Sequence, residues 1–203
     1  MHLFDNLDSG NGYKIRLLLA QLARPYAWRE LDIMAGATRT PEFLRKNPNG
    51  RIPTLELEDG TCLAESNAIL WYLAEDSALL PNKGLKRAQV LQWMFFEQYS
   101  HEPYVATPRF IVKHLPPDHP RQAELPKRLE QGRAALAVME THLHNRDFFV
   151  AGRYTIADIA LYAYTHVANE GGHDLAPYPR VRAWLTRVAT QPNHISITLR
   201  PHA

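Results

Sequence analysis

The chain has 203 residues, 45% of them aliphatic or aromatic, which is enough for a hydrophobic core and excludes a disordered segment. Its 23 Lys and Arg stand against 21 Asp and Glu, and the resulting +2 is too balanced for a nucleic-acid-binding surface. The single Cys62 excludes an internal disulfide and suits a reducing compartment.

No run of residues approaches the ~20 apolar positions of a membrane span, so no membrane role is expected. Met1 to Asp5 enters a strand without a basic-then-apolar leader, and a soluble cytoplasmic protein is the expectation. The ten histidines are scattered. His142 and His144 would face different sides of a helix and no H-E-x-x-H or Cys/His cluster occurs, so no metal is expected.

Leu3-Phe4 and their neighbours read as a first strand, broken by the turn formers Asp8 to Gly12. Ile15, Leu18, Leu19 and Leu22 follow at i, i+3, i+4 and i+7, an amphipathic helix that Arg24-Pro25 stops. Tyr26 to Asp32 reads as a second strand, parallel to the first across this helical crossover. After a loop over residues 33–39, Thr40-Pro41 supplies an N-cap and a first-turn proline for a short helix ending before Pro48.

The segment around which the rest is arranged is Asn49-Gly50-Arg51-Ile52-Pro53-Thr54. Asn-Gly signals a turn. Pro53 at the mouth of a β run is on a sheet edge or cis in a tight turn. A cis bond would turn the N–H and C=O of Ile52 outward, ready to pair with an extended peptide as an added strand. Asp59-Gly60 then reads as a two-residue hairpin turn before Thr61 to Ala64. Glu65-Ser66 follows at the start of a helix carrying Ile69, Leu70 and Leu73 on one side. A serine there offers a hydroxyl, free N–H groups and a positive dipole end to a carboxylate, and Glu65 suits an ammonium group. Together these residues describe a seat for a short peptide with a free amino-acid end.

This βαβ unit with its hairpin and helix has a thioredoxin-like layout without a C-x-x-C pair. With N-G-R-I-P and E-S-N-A-I-L-W-Y-L in that order, it resembles the glutathione-binding half of a cytosolic glutathione transferase, of the bacterial, serine-type, theta/nu-like kind. The resemblance implies an α/β N-terminal thioredoxin-like domain over residues 1–80 and an all-α helical domain over 86–203. It also implies glutathione as co-substrate, with its amino-acid head at Glu65 and Ser66 and its backbone along Ile52-Pro53. Arg39 and Arg51 are candidates for its glycyl carboxylate.

Ser9, at the entrance to the first helix, is the leading catalytic candidate. In the serine-type transferases that the chain resembles, a hydroxyl at this place donates to the glutathione sulfur. Lowering a thiol from about 8.5 to about 6.5 needs about 2.7 kcal/mol. A hydrogen bond to a charged acceptor contributes about 1.5–3 kcal/mol and a helix terminus about 0.3–1, so no general base is required. Ser9 is equally suited to capping the helix. Asn11 is a second candidate for the same role, and Tyr13, within the helix, is expected to be packed. Cys62 lies in a strand and reads as an inert buried thiol.

Residues 74–86, with Pro81-Asn82-Lys83-Gly84, form the linker. Residues 86–101 are apolar on more than one side, as a central or interface helix is, and the family implies a homodimer. Pro103 and Pro108 are expected to kink or break the next helix. Tyr104, Arg109 and Phe110 fall where the family lines its second-substrate pocket. Leu125, Leu129, Gly132, Leu136, Met139 and Leu143 mark a long core-facing helix within 121–144. Thr155-Ile156-Ala157-Asp158 opens another with a capping box, a folding signal that the family also carries. Pro179 starts a last helix, and residues 191–203 form a polar tail. The expected activity is conjugation of the glutathione thiolate to a hydrophobic electrophile, as in detoxification. The alternatives are glutathione-dependent reduction of disulfides or peroxides at the same site, and a non-catalytic binding member of the fold.

Overall fold

The computed structural model describes residues 1–201; the last two residues of the expected tail lie outside them. The chain divides into two compact units, one comprising Met1–Ser77 and the stretch from Pro192 onward, the other Ala78–Gln191. The stretch from Pro192, expected with the helical half, therefore belongs with the first unit.

In the first unit, β1 (His2–Asp5) pairs in parallel with β2 (Ala27–Glu30) across helix α1 (Gly10–Gln21). β3 (Thr54–Glu56) pairs antiparallel with β1, and β4 (Cys62–Ala64) antiparallel with β3, giving the order β2-β1-β3-β4. α2 (Pro41–Lys46) begins as its sequence dictates, with Pro41 in the first turn and Thr40 Oγ1 accepting from the Phe43 N–H. α3 (Ser66–Leu73) packs against α1. The hairpin differs from the expected two-residue turn. Gly60 N–H bonds to Leu57 C=O, Gly60 sits at φ +85°, and Leu57 N–H bonds to Thr61 C=O. A type I turn followed by a left-handed glycine makes a longer loop, with Asp59 capping the Thr61 N–H.

α1 also departs from an amphipathic helix. Every residue from Gly12 to Leu19 is buried, including Lys14 and Arg16. Arg16 is accommodated because its whole fork is occupied. Nε meets Asp5 at 3.0 Å, Nη2 the Leu7 carbonyl at 2.7 Å, and Nη1 the Ile197 carbonyl at 2.9 Å. Tyr13 is packed, its hydroxyl donating to the Ile195 carbonyl at 2.7 Å. The C-terminal stretch thus straps the back of α1 through backbone carbonyls.

The second unit is helical. α4 (Gly84–Phe96) passes through a π-helical turn at Glu97–His101 into α5 (Glu102–His114), so the chain stays helical through both prolines. Pro103 falls in the first turn after the π segment, where its missing N–H matters least. Pro108 inside α5 cannot donate to Tyr104, and the Tyr104 carbonyl is taken instead by His173 Nε2 at 2.9 Å. α6 (Leu125–His142) packs on α5, and α7 (Ile156–Thr165) is buried nearly throughout, with α8 (Pro179–Ala189) against both α6 and α7. The capping box forms as the sequence predicts, and Asp158 also accepts from Trp184 Nε1 at 3.0 Å. Trp184 stands edge-on to Phe149, which stands edge-on to Trp93, and these rings form the centre of the unit.

Candidate active site

Strand register brings the candidate segments of the first unit to one place. Phe4 on β1 and Ala64 on β4 both lie opposite Thr54 on β3. β1 runs out of the sheet at that row, β3 enters there, and β4 leaves there. The loop to Ser9, the Ile52-Pro53 pair and Glu65-Ser66 therefore all meet the sheet at the same end.

The Ile52–Pro53 bond is cis, and Pro53 is buried while Ile52 is half-exposed. Asn47, a residue with no functional assignment in the sequence analysis, shapes the approach. Buried at 4% exposure, it donates through Nδ2 to the Arg51 carbonyl at 2.7 Å and accepts through Oδ1 from the Asn49 N–H at 3.0 Å. Its backbone carbonyl takes the Gly50 N–H, closing the turn, with Gly50 at φ +61°. Its sequence signal was that of any turn asparagine, indistinguishable from an exposed one. Arg39 lies across this turn, Nη1 donating to the Asn49 carbonyl at 3.1 Å, and a Cβ on Gly50 would fall 2.5 Å from that nitrogen. Arg39 and Arg51 are both exposed beside the segment that leads into Ile52.

Ser9 caps α1. Its Oγ accepts from the Gly12 N–H at 3.2 Å, and its φ of −75° and ψ of 121° are those of an N-cap. The cap uses an oxygen lone pair, and among the described residues no protein group accepts the Ser9 hydroxyl hydrogen. Capping and donation to an anion are thus compatible in one half-buried hydroxyl.

Glu65, not Ser66, is the N-cap of α3. Glu65 is exposed and stands at φ +66°, ψ 114°, a conformation that costs a non-glycine residue about 1–3 kcal/mol and concentrates at ligand-binding positions. Ser66 occupies the first helical position, and its side chain turns inward. Ser66 Oγ, 4% exposed, donates to Asn11 Oδ1 at 3.1 Å and accepts from Lys14 Nζ at 3.2 Å. So α1 and α3 are joined at their N-terminal ends by a polar contact linking the expected head-group seat to the expected sulfur-side turn. Lys14 escaped the sequence analysis because a lysine in an otherwise amphipathic helix carries the same signal as a solvated one.

Cys62 is half-exposed in β4 rather than buried, and burial, then the charge of Glu56, raises its thiol pKa. A thiol shifted that way stays protonated at neutral pH, and the expected burial of Cys62 is not found. In the second unit, Tyr104, Arg109 and Phe110 all lie on α5. Arg109 is 5% exposed, its Nε paired with Glu170 Oε2 at 2.8 Å, and Phe110 lies beside the His114 ring with the Arg121 guanidinium at 6.0 Å.

The profile for the glutathione S-transferase N-terminal domain matches residues 1–75, and that for the C-terminal domain matches residues 93–192. A solved glutathione S-transferase from Pseudomonas fluorescens Pf-5 is 54% identical, with a TM-score of 0.93 over 97% of this chain and 98% of that one. The disulfide-bond oxidoreductase YfcG of Escherichia coli K12 is 32% identical over 189 residues, 90% of this chain and 87% of that protein. Elongation factor 1-gamma-B of Xenopus laevis is 33% identical over 199 residues, 94% of this chain, but the chain spans only 44% of that factor's length. On its thioredoxin-like sheet, its helical second unit and these matches across nearly its whole length, the chain is a member of the glutathione S-transferase family of enzymes.

Proposed function

We propose that the chain binds glutathione at the end of the sheet shared by β1, β3 and β4, stabilises its thiolate, and conjugates that thiolate to a hydrophobic electrophile, as in detoxification in the cytoplasm. The observation that carries this reading is the common row Phe4–Thr54–Ala64, from which the Ser9 loop, cis-Pro53 and Glu65-Ser66 all depart. In it, the tripeptide backbone pairs with Ile52, the ammonium meets Glu65, and the glutamyl carboxylate meets the N-terminus of α3 at Ser66. Arg51 and Arg39 offer charge to the glycyl end. The Ser9 hydroxyl hydrogen and the Asn11 amide are the two donors proposed for the sulfur. Tyr104 and Phe110 are proposed to contribute apolar surface for the electrophile, with Arg109 fixed by Glu170.

One observation favours a second reading, reduction of disulfides by the same thiolate. The disulfide-bond oxidoreductase similarity extends over about nine-tenths of both chains. A homodimer accompanies either reading in our proposal. It is supported by Leu91, Phe95 and Tyr99, exposed at 37%, 69% and 83% and spaced four residues apart along the helix.

Retention on immobilised glutathione, followed by rates with an aryl halide and with a small disulfide, tests these readings. We expect retention and aryl-halide turnover, with Ser9→Ala or Asn11→Ala lowering kcat/KM by about 10²-fold or more, as loss of an oxyanion-type donor does. Retention without either turnover would leave a binding protein; no retention would remove the proposal.

A further inference from the structure

Lys14 lies beneath the proposed head-group seat, fully buried on α1. Burying an ammonium is costly unless polar groups take its protons, and one that does so here is the Ser66 hydroxyl, 3.2 Å away. An ammonium has no lone pair to offer, so Ser66 Oγ accepts at this contact. The single Ser66 hydrogen is then directed to Asn11 Oδ1, at 3.1 Å. With Lys14 donating to Ser66 Oγ and the Ser66 hydroxyl donating to Asn11 Oδ1, the direction runs Lys14 to Ser66 to Asn11.

That direction has a consequence for Asn11. Its carboxamide oxygen is committed to Ser66, so its amino group is turned, as a donor, to the opposite edge of the planar amide. An asparagine whose flip is fixed presents N–H groups, not a carbonyl, to whatever lies on that side. A thiolate needs the former and is repelled by the latter.

We propose that Lys14 is a positioning residue: its buried ammonium sets the Ser66 hydroxyl, which sets the Asn11 amide as a donor toward the sulfur of bound glutathione. The head-group seat and the sulfur-side turn are thereby coupled through one hydroxyl. This inference rests on the reading of the site as a glutathione site and adds to it a residue that touches neither end of the ligand.

The test is the pKa of the glutathione thiol bound to the full-length protein, read from thiolate ultraviolet absorbance against pH, together with glutathione Kd and the melting temperature. In Lys14→Met we expect the bound thiol pKa to rise by about one unit, a tenfold loss of thiolate preference. In Asn11→Ala it should rise similarly, and the double variant should be no worse than Asn11→Ala alone. A fall in melting temperature with an unchanged thiol pKa would reduce Lys14 to a structural residue and overturn the proposal, as would additive shifts in the double variant. Should Lys14→Met fail to fold, Lys14→Gln, which removes the ammonium but keeps a polar group in the buried site, is compared alone and combined with Asn11→Ala. Non-additive shifts there support the proposal, and additive shifts overturn it. Failure of the wild-type protein to bind glutathione would remove the functional reading itself, and that result is visible before any variant is compared.

Discussion

The Asp5 carboxylate lies directly against Gly12: a Cβ placed on that glycine would fall 1.5 Å from Asp5 Oδ1. The glycine is required by close approach and not by backbone conformation. Asp5 is buried, and burial holds its carboxyl up at about 6 even against the Arg16 guanidinium 3.0 Å away. Gly12→Ala must displace this carboxylate and open the buried pair. Breaking such a pair costs about 3–5 kcal/mol, while alanine returns about 1 kcal/mol of helix propensity. The expected outcome is a loss of about 2–4 kcal/mol in urea unfolding. An unchanged midpoint would show that Asp5 finds another seat.

The C-terminal stretch offers two backbone carbonyls to side chains of α1. Removing the residues after Gln191 leaves the Tyr13 hydroxyl without the Ile195 carbonyl and Arg16 Nη1 without the Ile197 carbonyl. It also removes Arg200 from Glu30 and from the face of Trp28. Each buried donor stranded costs about 1–3 kcal/mol, so the truncated chain should be about 2–5 kcal/mol less stable. Limited proteolysis and thermal melting read this directly. A truncated chain with wild-type melting would mean that water replaces the strap at no cost.

Much of the site's framework was legible in the sequence, for physical reasons that are local. Thr40-Pro41 and Thr155 to Asp158 are read by the backbone within one helical turn, and both caps form as expected. Pro53 at the mouth of a β run left a sheet edge or a cis bond as the two readings, and the bond is cis. What escaped depends on residues far apart in the chain. Arg16 meets Ile197 across 181 positions, and Lys14 meets Ser66 across 52. Helical periodicity reports which face is apolar, and it is silent on a charged side chain bent inward to a distant carbonyl or hydroxyl. The prolines are a related case: of the kink or break they suggest, the break does not occur. Pro108 does remove a helix bond, yet His173 on a later segment supplies the donor that lets α5 continue.

Asp158 is expected to be intolerant of its nearest isostere. Its two oxygens accept from the N–H groups of Phe149 and Thr155, the Thr155 hydroxyl and Trp184 Nε1. Asp158→Asn would replace one of those oxygens with an amino group facing donors. Nitrogen at the Oδ1 position leaves the Phe149 and Trp184 N–H groups facing a donor, and at the Oδ2 position it leaves the Thr155 N–H so, while the Thr155 hydroxyl can turn to accept, at about 1–3 kcal/mol for each N–H. The less costly flip keeps the Trp184 bond, so a loss of about 1–3 kcal/mol is expected, seen as a lower melting temperature. Near-wild-type stability would mean that the hydrogen bonds at this position do not need the second oxygen.

His173 makes the second unit sensitive to mild acid. Its Nε2–H serves the Tyr104 carbonyl that Pro108 leaves open, its ring rests on Gly132, and Nδ1 has no hydrogen-bond partner among the described residues. Burial chiefly, and the charge of Arg133, lower its pKa below 6.5, against the smaller opposing effect of the bond to Tyr104. A proton arriving at Nδ1 would be buried without an acceptor. Because the folded value lies below the unfolded one, the unfolded chain takes up the proton first as the pH falls. His173 therefore contributes its full stability above about pH 6.5 and loses it as the pH drops through the folded value. His173→Gln keeps a donor for Tyr104 and cannot be protonated. Asp5 and Asp158, whose pKa values burial raises to about 6, act in the opposite sense but are common to both proteins and cancel in the difference. Unfolding free energies should consequently fall more steeply in the wild type than in His173→Gln between about pH 7.5 and pH 5.5. Parallel curves would show that the His173 site admits a proton, or a water to carry it, without cost.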